Sequence, residues 1–346
     1  MDFLKNAWRR WSKWSLPTRL AISLSIILGV PGLIISAAAW YWPDFWKHPL
    51  DEERGTHKQS KPVGSEWREE APRESFTFVS LNYPDAPNTF PTSINDGGAI
   101  VGIYTAPKGR LGFIRNRDGS FTSFEYPRTA STTNATGINN NNEIVGFYYD
   151  SSKGCHGSPA HGFLRNRDGT FASFDYPDTS YTFAHGINDK REVVGAYEDC
   201  DGIARGFLRH GDGSFSPLDY PGAVSTIPTG INNQGEIIGY WRDHKFGERG
   251  FLRRGDGAFT PIMPDPTTSS YPKGLNNGGD VVGHTSLGPF LRRRDGTLSS
   301  IDHPACLGGT CTIPTGINNL IEVVGQYQTP SGVHGFLAKA KSKQTQ

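Results

Sequence analysis

Phe183-Ala-His-Gly-Ile-Asn-Asp-Lys-Arg-Glu-Val-Val-Gly-Ala-Tyr197 is the stretch that decides the fold. Phe183 to Ile187 is a short apolar run, Asn188 to Arg191 make a turn, and Glu192 to Tyr197 read as the next strand. After a polar loop from Glu198 to Ala204, Arg205-Gly-Phe-Leu-Arg209 supplies a third strand. Gly211-Asp212-Gly213 then closes a hairpin into Ser214 to Tyr220. Asp-Gly between two β runs is a strong local hairpin signal, because both residues accept the left-handed backbone that a two-residue turn requires.

The signature built on Gly-Ile-Asn, a turn, Val-Gly, Gly-Phe-Leu-Arg and Asp-Gly comes back six times along the chain. Its asparagines are Asn95, Asn139, Asn188, Asn232, Asn276 and Asn318, spaced 44, 49, 44, 44 and 42 residues apart. The Asp-Gly pair recurs at Asp118-Gly119, Asp168-Gly169, Asp256-Gly257 and Asp295-Gly296. A period of this length filled with short strands marks a radial β architecture. Four strands per unit predict an all-β, six-bladed β-propeller of four-stranded antiparallel blades over residues 76–338, with no helical pattern after Ser75. Phe76 to Tyr83 resembles a fourth strand with no preceding three, and Gly335 to Ala338 a third strand with no fourth. Their pairing would close the ring and remove two exposed sheet edges.

The repeats resemble the HAF-type extracellular repeats of bacterial proteins, named for a His-Ala-Phe-like strand. The matching strands are Ala160-His161-Gly162-Phe163 and His334-Gly335-Phe336, and the resemblance covers residues 76 to 338. Gly stands where the name has Ala, and four units lack the His. The resemblance implies an extracytoplasmic propeller-like module and adds little about chemistry.

Ahead of the repeats, Leu20 to Trp42 contains 23 residues without a charge. That length crosses a bilayer core of roughly 30 Å as a helix. Lys5, Arg9, Arg10, Lys13 and Arg19 precede it, which predicts a cytoplasmic segment at 1–19 and a propeller on the outer side. Trp8, Trp11 and Trp14 on one flank, and Trp40, Trp42 and Trp46 on the other, form aromatic belts at both interfaces. The expectation is a single inner-membrane span at 20–42 that serves as a signal-anchor. Cleavage at Ser36-Ala37-Ala38-Ala39 is the competing reading. Residues 43–75, with Pro49, Pro62 and Pro72 among mixed charges, read as a flexible stalk, and 339–346 as a C-terminal tail.

The formal net charge of +1 gives no reason to expect a nucleic-acid partner. Nothing in the sequence calls for a cofactor. Four cysteines suit an oxidising compartment. Cys306 and Cys311 bracket Leu-Gly-Gly-Thr, and Cys155 and Cys200 fall in equivalent loops of successive units, so the pairs Cys306–Cys311 and Cys155–Cys200 are expected. Zinc is the rival, but there is no CxxC pair, and no metal site is expected.

Strand order sorts the connections onto two faces. Turns after the first and third strands share a turn face; loops after the second and fourth share a loop face. The repeated Asn and Asp of the turn face need no function, since tight turns favour them. Arg254-Gly255-Asp256 spells an adhesion tripeptide but is one unit's hairpin. The loop face holds long, divergent segments and all four cysteines, where binding sites concentrate. Just before each Gly-Ile-Asn the column reads Thr92, Thr136, His185, Thr229, Lys273 and Thr315. On an innermost strand, His185 and Lys273 would break a neutral threonine ring. Asp178 and Asp265 supply nearby acids, and Tyr181, Phe183, Trp241 and Tyr271 aromatic platforms for a sugar ring or apolar ligand. These residues predict a membrane-anchored extracytoplasmic binding or scaffold module for an envelope protein or glycan. The alternative is an envelope hydrolase or lyase with His185 as general base at the channel mouth.

Overall fold

The structure, a computed structural model, describes residues 75–341 apart from 128–131, 153, 156, 244–246, 264–267 and 307–310. The segment 1–19, the expected membrane helix 20–42 and the stalk up to residue 74 lie outside the described residues. Among the described residues, no helix is long and apolar enough to cross a membrane.

The chain is all-β and forms 24 strands among the described residues. β1 (Phe76–Ser80) is followed by the first full unit, β2 (Thr89–Ile94), β3 (Ile100–Ala106), β4 (Gly109–Arg115) and β5 (Phe121–Phe124). The second unit is β6 (Thr133–Ile138), β7 (Ile144–Tyr149), β8 (Ala160–Arg165) and β9 (Phe171–Phe174). The third is β10 (Tyr181–Ile187), β11 (Val193–Glu198), β12 (Ala204–Arg209) and β13 (Phe215–Pro217). β14 (Ser225–Ile231), β15 (Ile237–Arg242), β16 (Glu248–Arg253) and β17 (Phe259–Pro261) make the fourth. β18 (Ser270–Leu275), β19 (Val281–Thr285), β20 (Gly288–Arg292) and β21 (Leu298–Ser299) make the fifth. The last has β22 (Thr312–Ile317), β23 (Glu322–Thr329) and β24 (Gly332–Ala340).

β1 supplies the missing strand of the last unit. It pairs antiparallel with β24, from Phe76 opposite Ala340 to Ser80 opposite Phe336. The outermost strand therefore comes from the N-terminal end and the inner three from the C-terminal end, in the order β1-β24-β23-β22. β24 also runs two residues beyond Ala338, into the expected tail.

The expectation of six separate four-stranded blades is corrected by the sheet pattern. Four four-stranded sheets stand alone, not six, and β6 to β13 join in one eight-stranded sheet. The join is a parallel contact of Tyr181 on β10 with Ala160 on β8, backed by a 3.1 Å bond from the Ala160 N–H to the Ser180 carbonyl. Two further contacts draw these units together at the same edge. Cys155 is bonded to Cys200, and the Tyr181 hydroxyl donates to the Gly157 carbonyl at 3.4 Å.

The core repeats with the sequence. Phe113, Phe163, Phe207, Phe251, Phe290 and Phe336 of the third strands are fully buried. Each lies against the glycine of a second strand. A Cβ added at Gly195 would sit 2.0 Å from the Phe183 carbonyl oxygen and 2.9 Å from the Phe207 ring. Glycine is required there because the phenyl ring takes the space a side chain would fill.

The innermost strands carry a second shared feature. Each of β2, β6, β10, β14, β18 and β22 shifts register at one residue, as between Ala184 and Gly186 or Pro272 and Gly274. The skipped residues are Thr92, Thr136, His185, Thr229, Lys273 and Thr315. A bulge leaves its residue without a cross-strand partner and re-aims the side chain. The column singled out by sequence is thus the bulge column.

Candidate functional site

The two ends of the central channel are built differently. At the turn end the six repeated asparagines form a closed ring. Each side-chain amide donates to the backbone carbonyl of the next: Asn95 to Asn139 at 3.0 Å, Asn139 to Asn188 at 3.1 Å and Asn188 to Asn232 at 3.1 Å. Asn232 to Asn276, Asn276 to Asn318 and Asn318 back to Asn95 follow at 3.2 Å each. A second ring runs one residue later. The N–H groups of Asp96, Asn140, Asp189, Asn233, Asn277 and Asn319 each donate to the side-chain oxygen of the next unit's equivalent residue. The rings line a cavity of about 60 Å³. Sequence reasoning took these residues as turn formers alone. Their bonds between successive units, 42 to 49 residues apart and 223 where Asn318 meets Asn95, are visible only once the chain closes.

Further along the channel lies the bulge column. Four of its threonines donate to the carbonyl just ahead of the next unit's bulge: Thr92 to Ala135, Thr136 to Ala184, Thr229 to Pro272 and Thr315 to Pro91, at 2.7–3.0 Å. His185 Nδ1 makes the same bond to the Pro228 carbonyl at 2.7 Å, so it carries the proton there. Lys273 does not. Among the described residues it makes neither hydrogen bond nor ion pair, and its ammonium lies 5.5 Å from the centre of the Tyr240 ring.

The units around Lys273 supply an aromatic wall. Tyr271 stacks on His284 at 4.9 Å and 15°, and meets Tyr240 edge-on at 5.4 Å. His185 and Lys273 keep partial exposure although protein surrounds them on all sides, the condition of side chains facing a narrow lumen. Burial pushes Lys273 down to about 8, which the charge of Glu248 partly opposes. His185 is pushed down to about 4 by burial, opposed by its bond to Pro228 and reinforced by the Lys273 charge. His284 falls to about 3 through burial and the same lysine. Tyr240 is raised by burial and by Glu248, and Tyr149, at the loop end of β7, rises to about 12 through burial and Glu198. At neutral pH both imidazoles are neutral and Lys273 keeps a cation beside them.

Of the residues proposed from sequence, Lys273, Tyr271 and His185 come together here. The others do not join them. Trp241 stacks on Tyr220 at 4.3 Å and 5°, with the Arg249 guanidinium 5.4 Å from its ring centre. The same stacking recurs at Tyr83–Tyr104, Tyr126–Tyr148, Tyr176–Tyr197 and His303–Tyr327. Trp241 is therefore one member of a repeated packing pair. Tyr181 and Phe183 are buried, Phe183 against Phe147 at 5.1 Å. Asp178 is exposed in a left-handed turn at φ 60°, and Asp265 lies outside the described residues.

Sequence reasoning missed Tyr240, His284 and Glu248. A signal existed on the second strands. The column eight residues after each repeated asparagine reads Ile103, Phe147, Ala196, Tyr240, His284 and Gln326. It turns polar in the same units that carry Lys273 and its neighbours.

Both expected disulfides are present on the loop face, with Cα separations of 5.6 Å for Cys155–Cys200 and 5.7 Å for Cys306–Cys311. Among the described residues, no three His, Cys, Asp or Glu side chains gather as a metal-binding group. The turn-face aspartates serve their own hairpins, as where Asp168 accepts from the N–H and hydroxyl of Thr170 at 2.9 and 2.6 Å.

No protein-family model matches the chain, and no curated protein does. Its fold is similar to that of virginiamycin B lyase from Staphylococcus aureus, with 11% identity and a TM-score of 0.45 over 77% of this chain and 100% of the other. TolB from Acinetobacter baumannii is similar at 15% identity and a TM-score of 0.45, over 64% of this chain and 53% of that one. A gluconolactonase from Xanthomonas campestris follows at 13% identity and a TM-score of 0.48, over 79% and 95%. The class defined by strand order and channel is a β-propeller. Likenesses this remote say nothing of its ligand.

Proposed function

We propose that this protein is a membrane-anchored extracytoplasmic binding module whose ligand meets the loop-face mouth of the channel. Lys273 carries this reading: in the bulge column it alone leaves its donors unspent among the described residues, and it points them at an aromatic wall. A lumen residue kept only for structure would close its bond to the next unit, as the threonines do. The charge-free stretch Leu20 to Trp42 with its basic flank supports the anchor, and two disulfides suit an oxidising compartment. The HAF-type resemblance points the same way, and an envelope glycan or protein is the partner in this reading. An imidazole held near 4 is a weak base at neutral pH, which weighs against His185 as the base of a hydrolase or lyase.

A glycan and envelope-ligand array probed with the full chain tests the reading. Binding is expected to be lost with Tyr271→Ala and kept with Asp212→Asn on the turn face. Loss confined to turn-face substitutions would place the site at the wrong end. Protease added to spheroplasts should reach the repeat domain, and protection until lysis would refute the orientation.

A further inference from the structure

We propose that the channel mouth takes an acidic saccharide, whose carboxylate docks on the Lys273 ammonium while its ring packs on Tyr240 and Tyr271. This rests on the reading of the mouth as a binding site and names the ligand's chemistry.

Each of the six innermost strands turns one residue out of its ladder, and five of the six spend their donor on the next unit's carbonyl. Thr229 and Thr315, on either side of Lys273 in the column, have their hydroxyl protons directed at Pro272 and Pro91. His185 has its Nδ1 proton on Pro228. In this ring Lys273 is what remains to greet a ligand, with one positive charge and three N–H donors. A desolvated ammonium with no anion in hydrogen-bond reach is costly, and a carboxylate ligand relieves that cost.

Charge count selects the anion. Lys273 offers one positive charge, the imidazoles of His185 and His284 are neutral, and Glu248 lies near enough for its field to reach the ammonium. A monocarboxylate is balanced by one cation. A phosphate dianion would bring a second negative charge towards Glu248, and Arg242, whose field also reaches Tyr240, stands opposite Glu248 in the strand ladder. The wall selects the body. Tyr240 and Tyr271 meet edge-to-face, and Tyr271 is backed by the His284 ring, so a rigid aromatic surface stands beside the ammonium. Aromatic faces of this kind pack against the C–H face of a sugar ring, while the Tyr240 hydroxyl offers a polar contact.

Titration calorimetry of the full chain with glucuronate, glucose and inorganic phosphate tests the inference. Glucuronate should bind, and glucose and phosphate should bind at least tenfold more weakly. The decisive variant is Lys273→Thr, which installs the residue found at four of the equivalent positions and so keeps the fold. It should weaken glucuronate tenfold or more without lowering the unfolding midpoint, and Lys273→Arg should restore part of the affinity. Equal glucuronate binding by wild type and Lys273→Thr, a preference for phosphate, or no glucuronate binding at all would overturn the proposal. A neutral glycan that is lost with Tyr271→Ala but kept with Lys273→Thr would sink only the acidic ligand. A ligand indifferent to both substitutions would sink the mouth itself.

Discussion

The turn end and the loop end of one channel hold the same six units together by different means. At the turn end every unit contributes the same asparagine, and two rings of hydrogen bonds run from unit to unit without a break. At the loop end the segments differ, the bulge ring is interrupted at Lys273, and one covalent bond between units, Cys155–Cys200, appears instead. The lesson is that uniformity marks the part of the repeat that closes the circle. Departure from the repeat marks where the fold can spare a residue for a ligand.

The largest effect expected at the loop end is loss of the long-range disulfide. Cys155–Cys200 closes a loop with a sequence separation of 45, and replacing both residues with Ser should cost about 4 kcal/mol in denaturant unfolding. Cys306–Cys311 closes one with a separation of 5 and should cost about 2 kcal/mol. Equal costs would mean that cross-linking the two units is not what the first bond does.

At the turn end Asn188→Ala removes donors to Glu192 and Asn232 and the acceptor for two backbone N–H groups. The buried partners are left unsatisfied, so about 3 kcal/mol should be lost, with no change in ligand affinity. A loss below about 1 kcal/mol would show that the ring is ornamental.

Much of this contrast was legible in the sequence, and the reasons differ by residue. Asp168-Gly169 and its equivalents announced their hairpins because the turn is decided locally: Gly169, unlike Asp168, takes the left-handed backbone, at φ 91°, and its N–H donates to the Asn166 carbonyl. The cysteine pairs could be read from their loop positions. The packing role of Trp241 was not legible, because its stacking partner Tyr220 lies in the preceding connection. The fifth unit, where Pro264 and Thr285 stand at the positions of Tyr220 and Trp241, held the clue that the two vary together. The join of β8 with β10 was not legible, since it hangs on one contact, Tyr181 with Ala160, made across a loop.

The histidines sharpen the comparison through pH. His185 and His284 are held near 4 and 3 in the folded protein, and both return to about 6.5 when it unfolds. The unfolded state therefore binds more protons, and stability falls as pH drops from 6.5 towards 4. Replacing His185 with Thr should remove about 2 kcal/mol of that acid loss, since each tenfold change in proton affinity is worth about 1.4 kcal/mol before solvent screening reduces it. Identical acid limbs for wild type and variant would contradict the burial of His185.

A smaller effect belongs to the turn end. Ile321 occupies the left-handed position of its turn at φ 57°, where the equivalent residues of other units include Gly98, Gly235 and Gly279. A β-branched side chain is strained there, so Ile321→Gly should gain about 1 kcal/mol in thermal unfolding. A loss would mean that packing of the isoleucine outweighs its backbone.

The contrast between the ends reduces to one substitution, Lys273→Thr, measured by urea unfolding of the full chain at pH 7 and pH 10. If Lys273 is an unspent donor held for a ligand, threonine should close the bulge ring and stabilise the protein at pH 7 by about 1 kcal/mol. Because the lysine is pushed down to about 8 when folded and ordinarily titrates at 10.5, its penalty is full below 8 and relieved towards 10.5. The advantage of the variant should therefore shrink at pH 10. A variant less stable than wild type at pH 7 would contradict the account, because Lys273 would then be holding the ring together like the asparagines at the other end.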